Sequence, residues 1–225
     1  MLRLVIANKV YSSWSLRGWL AVMQSGLPFE EILIPMGTPE FEAAQQDPAY
    51  MPGGKVPALH EGDVAVWESL AIIDWLDART GGTRFWPQDL AARAFALSMA
   101  SEMHAGFTAL RRDCPMNLRI ALQNYPLSAE VRADVARIDH LWATARTCYG
   151  AGGDYLFGSF GAADIMFSAV ATRFVSYGII LPSAAAQSYC ATLVAHPWMR
   201  AWHEAALQEP WRRAHTDALA EQHQA

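Results

Sequence analysis

The sequence predicts an α/β domain followed by an all-helical one, and three observations carry that reading. The chain opens with a short apolar strand, a helix and a second strand; a hairpin and another helix follow; beyond residue 80, apolar residues recur at helical spacing only. With 225 residues, 52% of them hydrophobic and 17% charged, the chain can bury the core that two domains need.

Leu2, Leu4, Val5 and Ile6 form the first strand. The run Tyr11-Ser12-Ser13-Trp14-Ser15-Leu16-Arg17 then enters a helix marked by Leu16, Leu20 and Met23, which Gly26-Leu27-Pro28 stops. Residues 29–34 read as a second strand in parallel return, reached by a right-handed crossover. Residues 35–52 are irregular apart from a short helix near 41–46. Gly53-Gly54-Lys55 leads into 56–60, and Glu61-Gly62-Asp63 turns the chain into 64–67, a hairpin. Glu68-Ser69 opens a helix whose apolar line is Leu70, Ile73 and Leu76, widened by Ile72 and Trp75.

Residues 81–87, containing Gly81-Gly82-Thr83 and Trp86-Pro87, read as a linker between a domain at 1–80 and one at 88–225. Leu90, Ala94, Leu97, Met103, Phe107 and Leu110 fit the buried face of one long helix. Further helices are expected at 128–147, with Val131, Val135, Ile138 and Trp142 on one face, at 162–177, at 184–194 and at 197–207.

Three serines at a helix start suggest chemistry. The first amides of a helix lack partners and carry the positive end of its dipole, so they attract an anion. A hydroxyl there would lower the pKa of a bound thiol from about 8.5. Taken alone, the segment reads as an ordinary serine cap, and Ser69 likewise. Taken alone, Val56-Pro57 reads as a trans edge-strand proline, although a cis peptide would free the N–H and C=O of Val56 for a peptide-like ligand.

Other classes are disfavoured. A net charge of −5 argues against nucleic acid or an anionic membrane as partner. No apolar run approaches a membrane span, and no secretory signal is read. Cys114, Cys148 and Cys190 are dispersed without a CxxC, which suits a reducing, cytoplasmic setting. No metal site is expected from His60, His104, His196 or His203, and no GxSxG elbow occurs.

The order of elements, together with Ser12-Ser13-Trp14-Ser15-Leu16-Arg17, Val56-Pro57 and the run from Glu68 to Leu76, resembles the glutathione transferases, in particular the zeta class and related bacterial enzymes. The resemblance implies a thioredoxin-like N-terminal domain, a helical C-terminal domain, a homodimer and a role in detoxification. It implies that Ser12 stabilises the thiolate of the cosubstrate glutathione, with Ser13 second. Trp14, Lys55, Val56, a cis Pro57, Glu68 and Ser69 would complete the glutathione site. A small electrophile would meet Trp14, Met103, Phe107, Asn117, Leu118 and Arg119, the last a candidate contact for a substrate carboxylate. Two alternatives accompany this reading: a glutathione-dependent maleyl-acid cis–trans isomerase, and a non-catalytic interaction module of the same fold. Trp14 stands where zeta enzymes carry cysteine. Gly161 stands where the family's buried capping motif carries serine or threonine, leaving Asp164 as a half cap with a folding role.

Overall fold

The computed structural model describes residues 1–221. Its first part runs β1 (Leu2–Ile6), α1 (Ser13–Ser25), β2 (Phe29–Leu33), α2 (Pro39–Gln46), β3 (Ala58–Glu61), β4 (Val64–Trp67) and α3 (Ser69–Arg79). The strands form one sheet in the order β2-β1-β3-β4, with β1 parallel to β2 and β3 antiparallel to both of its neighbours. Alternation along β1 divides the layers. Leu2, Leu4 and Ile6 enter the main core with Leu16 and Leu20 of α1 and Ile72, Ile73 and Leu76 of α3. Val5 points the other way, into a small cluster with Ala44 of α2 and Ala58, which Phe41 covers.

Capping explains where these helices stop and start. Thr38 caps α2 through Phe41 N, with Pro39 in the first turn, and Gly26 ends α1 at φ 70°. Pro57 precedes β3 rather than interrupting it.

The second part is helical: α4 (Leu90–Ala105), α5 (Thr108–Asp113), α6 (Ala129–Tyr149), α7 (Ala162–Ser176), α8 (Ala184–Val194), α9 (Pro197–Leu207) and α10 (Ala214–Glu221). This thioredoxin-like α/β part with a helical part after it is the architecture expected from the sequence. α7 is the spine. Thirteen of its residues are buried, as suits a helix apolar on nearly every face, and it packs on α1, α4 and α8.

Two expectations are corrected. The single long helix from Leu90 to Leu110 is two helices, because the chain turns at Gly106 and at Phe107, whose φ is 53°. A side chain at Gly106 would meet the Glu102 carbonyl at 2.7 Å, so glycine alone fits that corner. The buried face of α4 is Ala92, Ala96, Met99, Ala100 and Met103, whereas Leu90 and Leu97 are 81% and 39% exposed. α10 has no counterpart among the expected helices. Among the described residues, no helix is long and apolar enough to cross a membrane.

Candidate active site

The start of α1 is built around hydroxyl groups. Ser12 is the N-cap and accepts from Ser15 N at 3.3 Å; its Oγ lies 2.7 Å from Ser15 Oγ, which in turn accepts from Ala7 N at 2.9 Å. Ser12 and Ser15 are buried, while Ser13 and Trp14 are half-buried. The first turn carries no acidic residue, so nothing in α1 offsets the positive end of its dipole. The Ser13 hydroxyl makes no hydrogen bond among the described residues.

The Val56–Pro57 peptide is cis, not the trans form the residues alone suggest. Pro57 is pressed against α1, where a Cβ on Gly18 would lie 2.5 Å from the Pro57 Cβ. Gly18 is therefore what lets helix and loop approach, a role that no local pattern announces. The backbone of Val56 forms no hydrogen bond among the described residues, which leaves an amide and a carbonyl for an outside partner. Lys55 beside it is exposed.

Glu68 precedes α3 at φ 68°, ψ 128°, a conformation that costs a non-glycine residue about 1–3 kcal/mol and that clusters at ligand sites. Its carboxylate lies 3.5 Å from His104 Nε2, and the His104 ring lies 5.2 Å from Trp14, so α3, α4 and α1 meet here. Ser69 corrects the sequence reading. It is the first residue of α3 rather than its cap, it is fully buried, and its hydroxyl donates to Met166 Sδ at 3.6 Å instead of facing a ligand.

The expected electrophile wall is also corrected. Met103 is buried, its sulfur accepting from Arg17 Nη2 at 3.0 Å, and Phe107 is buried in the core. Asn117 and Arg119 hold the C-terminal segment instead, and Leu118 holds the loop before Ser12. Asn117 Nδ2 donates to Asp217 at 2.9 Å, and Leu118 N donates to Val10 O at 3.3 Å. Arg119 is spent on the carbonyls of Glu209 and Trp211 and on Tyr11 Oη. The same segment grips the loop before Ser12: Glu209 accepts from Lys9 N at 2.7 Å and Val10 N at 3.2 Å, and Tyr11 Oη donates to Asp217 at 3.0 Å. Burial and the Asp217 hydrogen bond raise the Tyr11 pKa, so it stays a donor.

Sequence reading gave Arg17 and Arg111 no role at the site. Their guanidinium carbons lie 4.5 and 4.8 Å from the Trp14 ring centroid. The spacing of Trp14 and Arg17, three apart on one helix, was the available signal for the first; Arg111 arrives from α5 by tertiary packing alone.

The thioredoxin-like sheet with its cis proline before β3, followed by the helical part, has the glutathione transferase fold. Residues 11–79 match the family model described as Glutathione S-transferase, N-terminal domain. Over the whole chain the structure is similar to a glutathione transferase homolog from Burkholderia gl BGR1 with bound glutathione, at 17% identity, 92% coverage of this chain, 97% of the other and a TM-score of 0.66. It is similar also to the theta class glutathione S-transferase of Xanthomonas axonopodis pv. citri with glutathione bound, at 23% identity, 92% and 97% coverage and a TM-score of 0.61. The dichloromethane dehalogenase of Methylorubrum extorquens is 35% identical over 60 residues, 27% of this chain; the match spans 21% of the dehalogenase.

Proposed function

We propose that the chain is a glutathione transferase of zeta-like character. The observation that carries this reading is the unpartnered backbone of Val56 beside a cis Pro57 seated on α1, in a segment that matches the transferase N-terminal domain. An amide and a carbonyl left free side by side suit the extended backbone of a tripeptide. Glu68, strained and half-exposed, would hold the ammonium of glutathione, and the first amides of α3 its terminal carboxylate.

Ser12 would donate to the thiolate, with Ser15 behind it. The Ser12 oxygen accepts from Ser15 N, and the single hydrogen between the two hydroxyls can lie on either oxygen. When Ser15 supplies it, Ser12 keeps its own hydrogen for an anion. When bound, glutathione supplies the sulfur nucleophile itself. The isomerase alternative loses support, because Arg119 is spent on the C-terminal segment and Trp14 replaces the expected cysteine. A homodimer is part of the proposal: Leu90, Ala94 and Leu97 share one exposed face of α4, which a second copy would cover.

The test is calorimetric titration of glutathione into wild type and Ser12→Ala, followed by ultraviolet titration of the bound thiol. Binding with a depressed thiol pKa that rises in the variant is expected. A folded wild type that does not bind glutathione would overturn the reading.

A further inference from the structure

Beside the start of α1 the fold gathers three arginines with no acid to balance them. Arg17 and Arg173 are buried and Arg111 is half-buried. All three hydrogen-bond neutral groups only. Arg17 donates to Met166 O at 2.8 Å, Ser13 O at 3.0 Å and Met103 Sδ; Arg173 donates to Cys114 O at 2.9 Å and Ala169 O at 2.6 Å; Arg111 reaches His104 O at 3.4 Å. Among the described residues none of the three forms an ion pair. Burial and mutual repulsion push Arg17 well below the usual arginine range and Arg173 down to about 10, and burial lowers Arg111.

Uncompensated positive charge in a protein interior is costly, and a fold that keeps it marks a place where negative charge is supplied from outside. The open side of this cluster is Trp14. Its half-buried ring lies under the guanidinium groups of Arg17 and Arg111 and adjoins Ser13 in sequence. Glu68 at this rim faces His104 Nε2 at 3.5 Å and forms no ion pair with any of the three arginines.

We propose that Trp14 and Arg111 form an anion-accepting subsite next to the thiol position, so that this enzyme's electrophile carries a carboxylate on an aromatic or apolar body. The body stacks on the indole and the carboxylate pairs with Arg111, whose planar fork suits two-point recognition. Arg17, too buried for direct contact, adds a fixed positive field behind the ring. For a halogenated acid the reaction balances simply: a carbon–sulfur bond forms, the carbon–halogen bond breaks, halide leaves with the electron pair, and the thiol proton passes to solvent. This rests on the transferase reading only for turnover; the binding subsite stands or falls by itself.

The experiment titrates 3-nitrobenzoate and its methyl ester calorimetrically into wild type, Arg111→Met and Arg111→Lys, and then compares turnover of 4-chloro-3-nitrobenzoate with that of its methyl ester. Wild type is expected to bind the anion about tenfold or more tighter than the ester, consistent with one charge-assisted contact. Arg111→Met should abolish that preference while ester affinity holds, and Arg111→Lys should retain part of it. Equal affinities in wild type, binding of neither compound, or a preference that survives in Arg111→Met overturns the subsite. Should Arg111→Met not fold, an undiminished preference in Arg111→Lys with unchanged enthalpy counts against it and a weakened one supports it. An anion preference without glutathione binding would keep the subsite and remove the transferase reading.

Discussion

Two helix starts lie on either side of the interface between the α/β and helical parts, and they are finished differently. At α1 the cap is an uncharged serine, the first turn holds no acid, and Ser13 and Trp14 remain half-buried. At α7 the start is sealed from within. Asp164 accepts from Gly161 N at 2.9 Å and Leu156 N at 3.2 Å, Ala162 N donates to Phe85 O at 2.8 Å, and Ala162, Ala163 and Asp164 are buried. The contrast teaches that a polar residue at a helix start says little until its charge balance is known. Where the fold supplies its own carboxylate the terminus is structural. Where it leaves the positive end open, an anion can complete it.

The largest effect expected from this contrast is on turnover. Ser12→Ala should lower kcat by about 10²-fold, as for loss of one oriented donor, and lower stability only by the ~1 kcal/mol of a cap; steady-state kinetics and denaturant melts read the two. Asp164→Ala should do the reverse, costing about 2–3 kcal/mol by leaving two buried amides unsatisfied, with turnover per folded molecule unchanged. A comparable loss of turnover in Asp164→Ala would break the comparison.

A comparable effect sharpens it through pH. Burial raises the Asp164 pKa from 3.8 to about 6. Because the folded value lies above the unfolded one, the native state binds the extra proton. Its stabilising contribution is full below about pH 4 and lost as pH rises through about 6, an effect of about 3 kcal/mol. The measurement is stability against pH for wild type minus that for Asp164→Asn, which should fall over this window. The smallest effect concerns the missing half of the cap. A Cβ at Gly161 would lie 2.6 Å from the Phe85 carbonyl, so Gly161→Ser should destabilise by about 1 kcal/mol rather than restore a cap. A raised melting temperature would refute that reading of the α7 start.

Much of the frame was legible because it is local. Alternation at Leu2, Leu4 and Ile6, the turn around Gly62 and the stop at Gly26 all act within a few residues, and the structure has β1, the β3–β4 hairpin and the end of α1 where they point. The cap at Ser12 was legible for the same reason. What escaped depends on distant packing. The burial of Ser69 follows from Met166 on α7, and the occupation of Arg119 from carbonyls some ninety residues away. The Arg17–Trp14–Arg111 cluster joins α1 to α5 across the two parts, so neither segment alone contains it.

The grip of the C-terminal segment on the loop before Ser12 has a consequence for biosynthesis. Lys9 and Val10 find their acceptor in Glu209, and Tyr11 finds its acceptor in Asp217, at sequence separations of 200, 199 and 206. During synthesis the first eighty residues can collapse around β1 and α1 long before those acceptors exist. The loop that leads to Ser12 is then fastened only after residues 209–217 have emerged, so a nascent molecule still lacking them would hold the sheet while that loop stays loose.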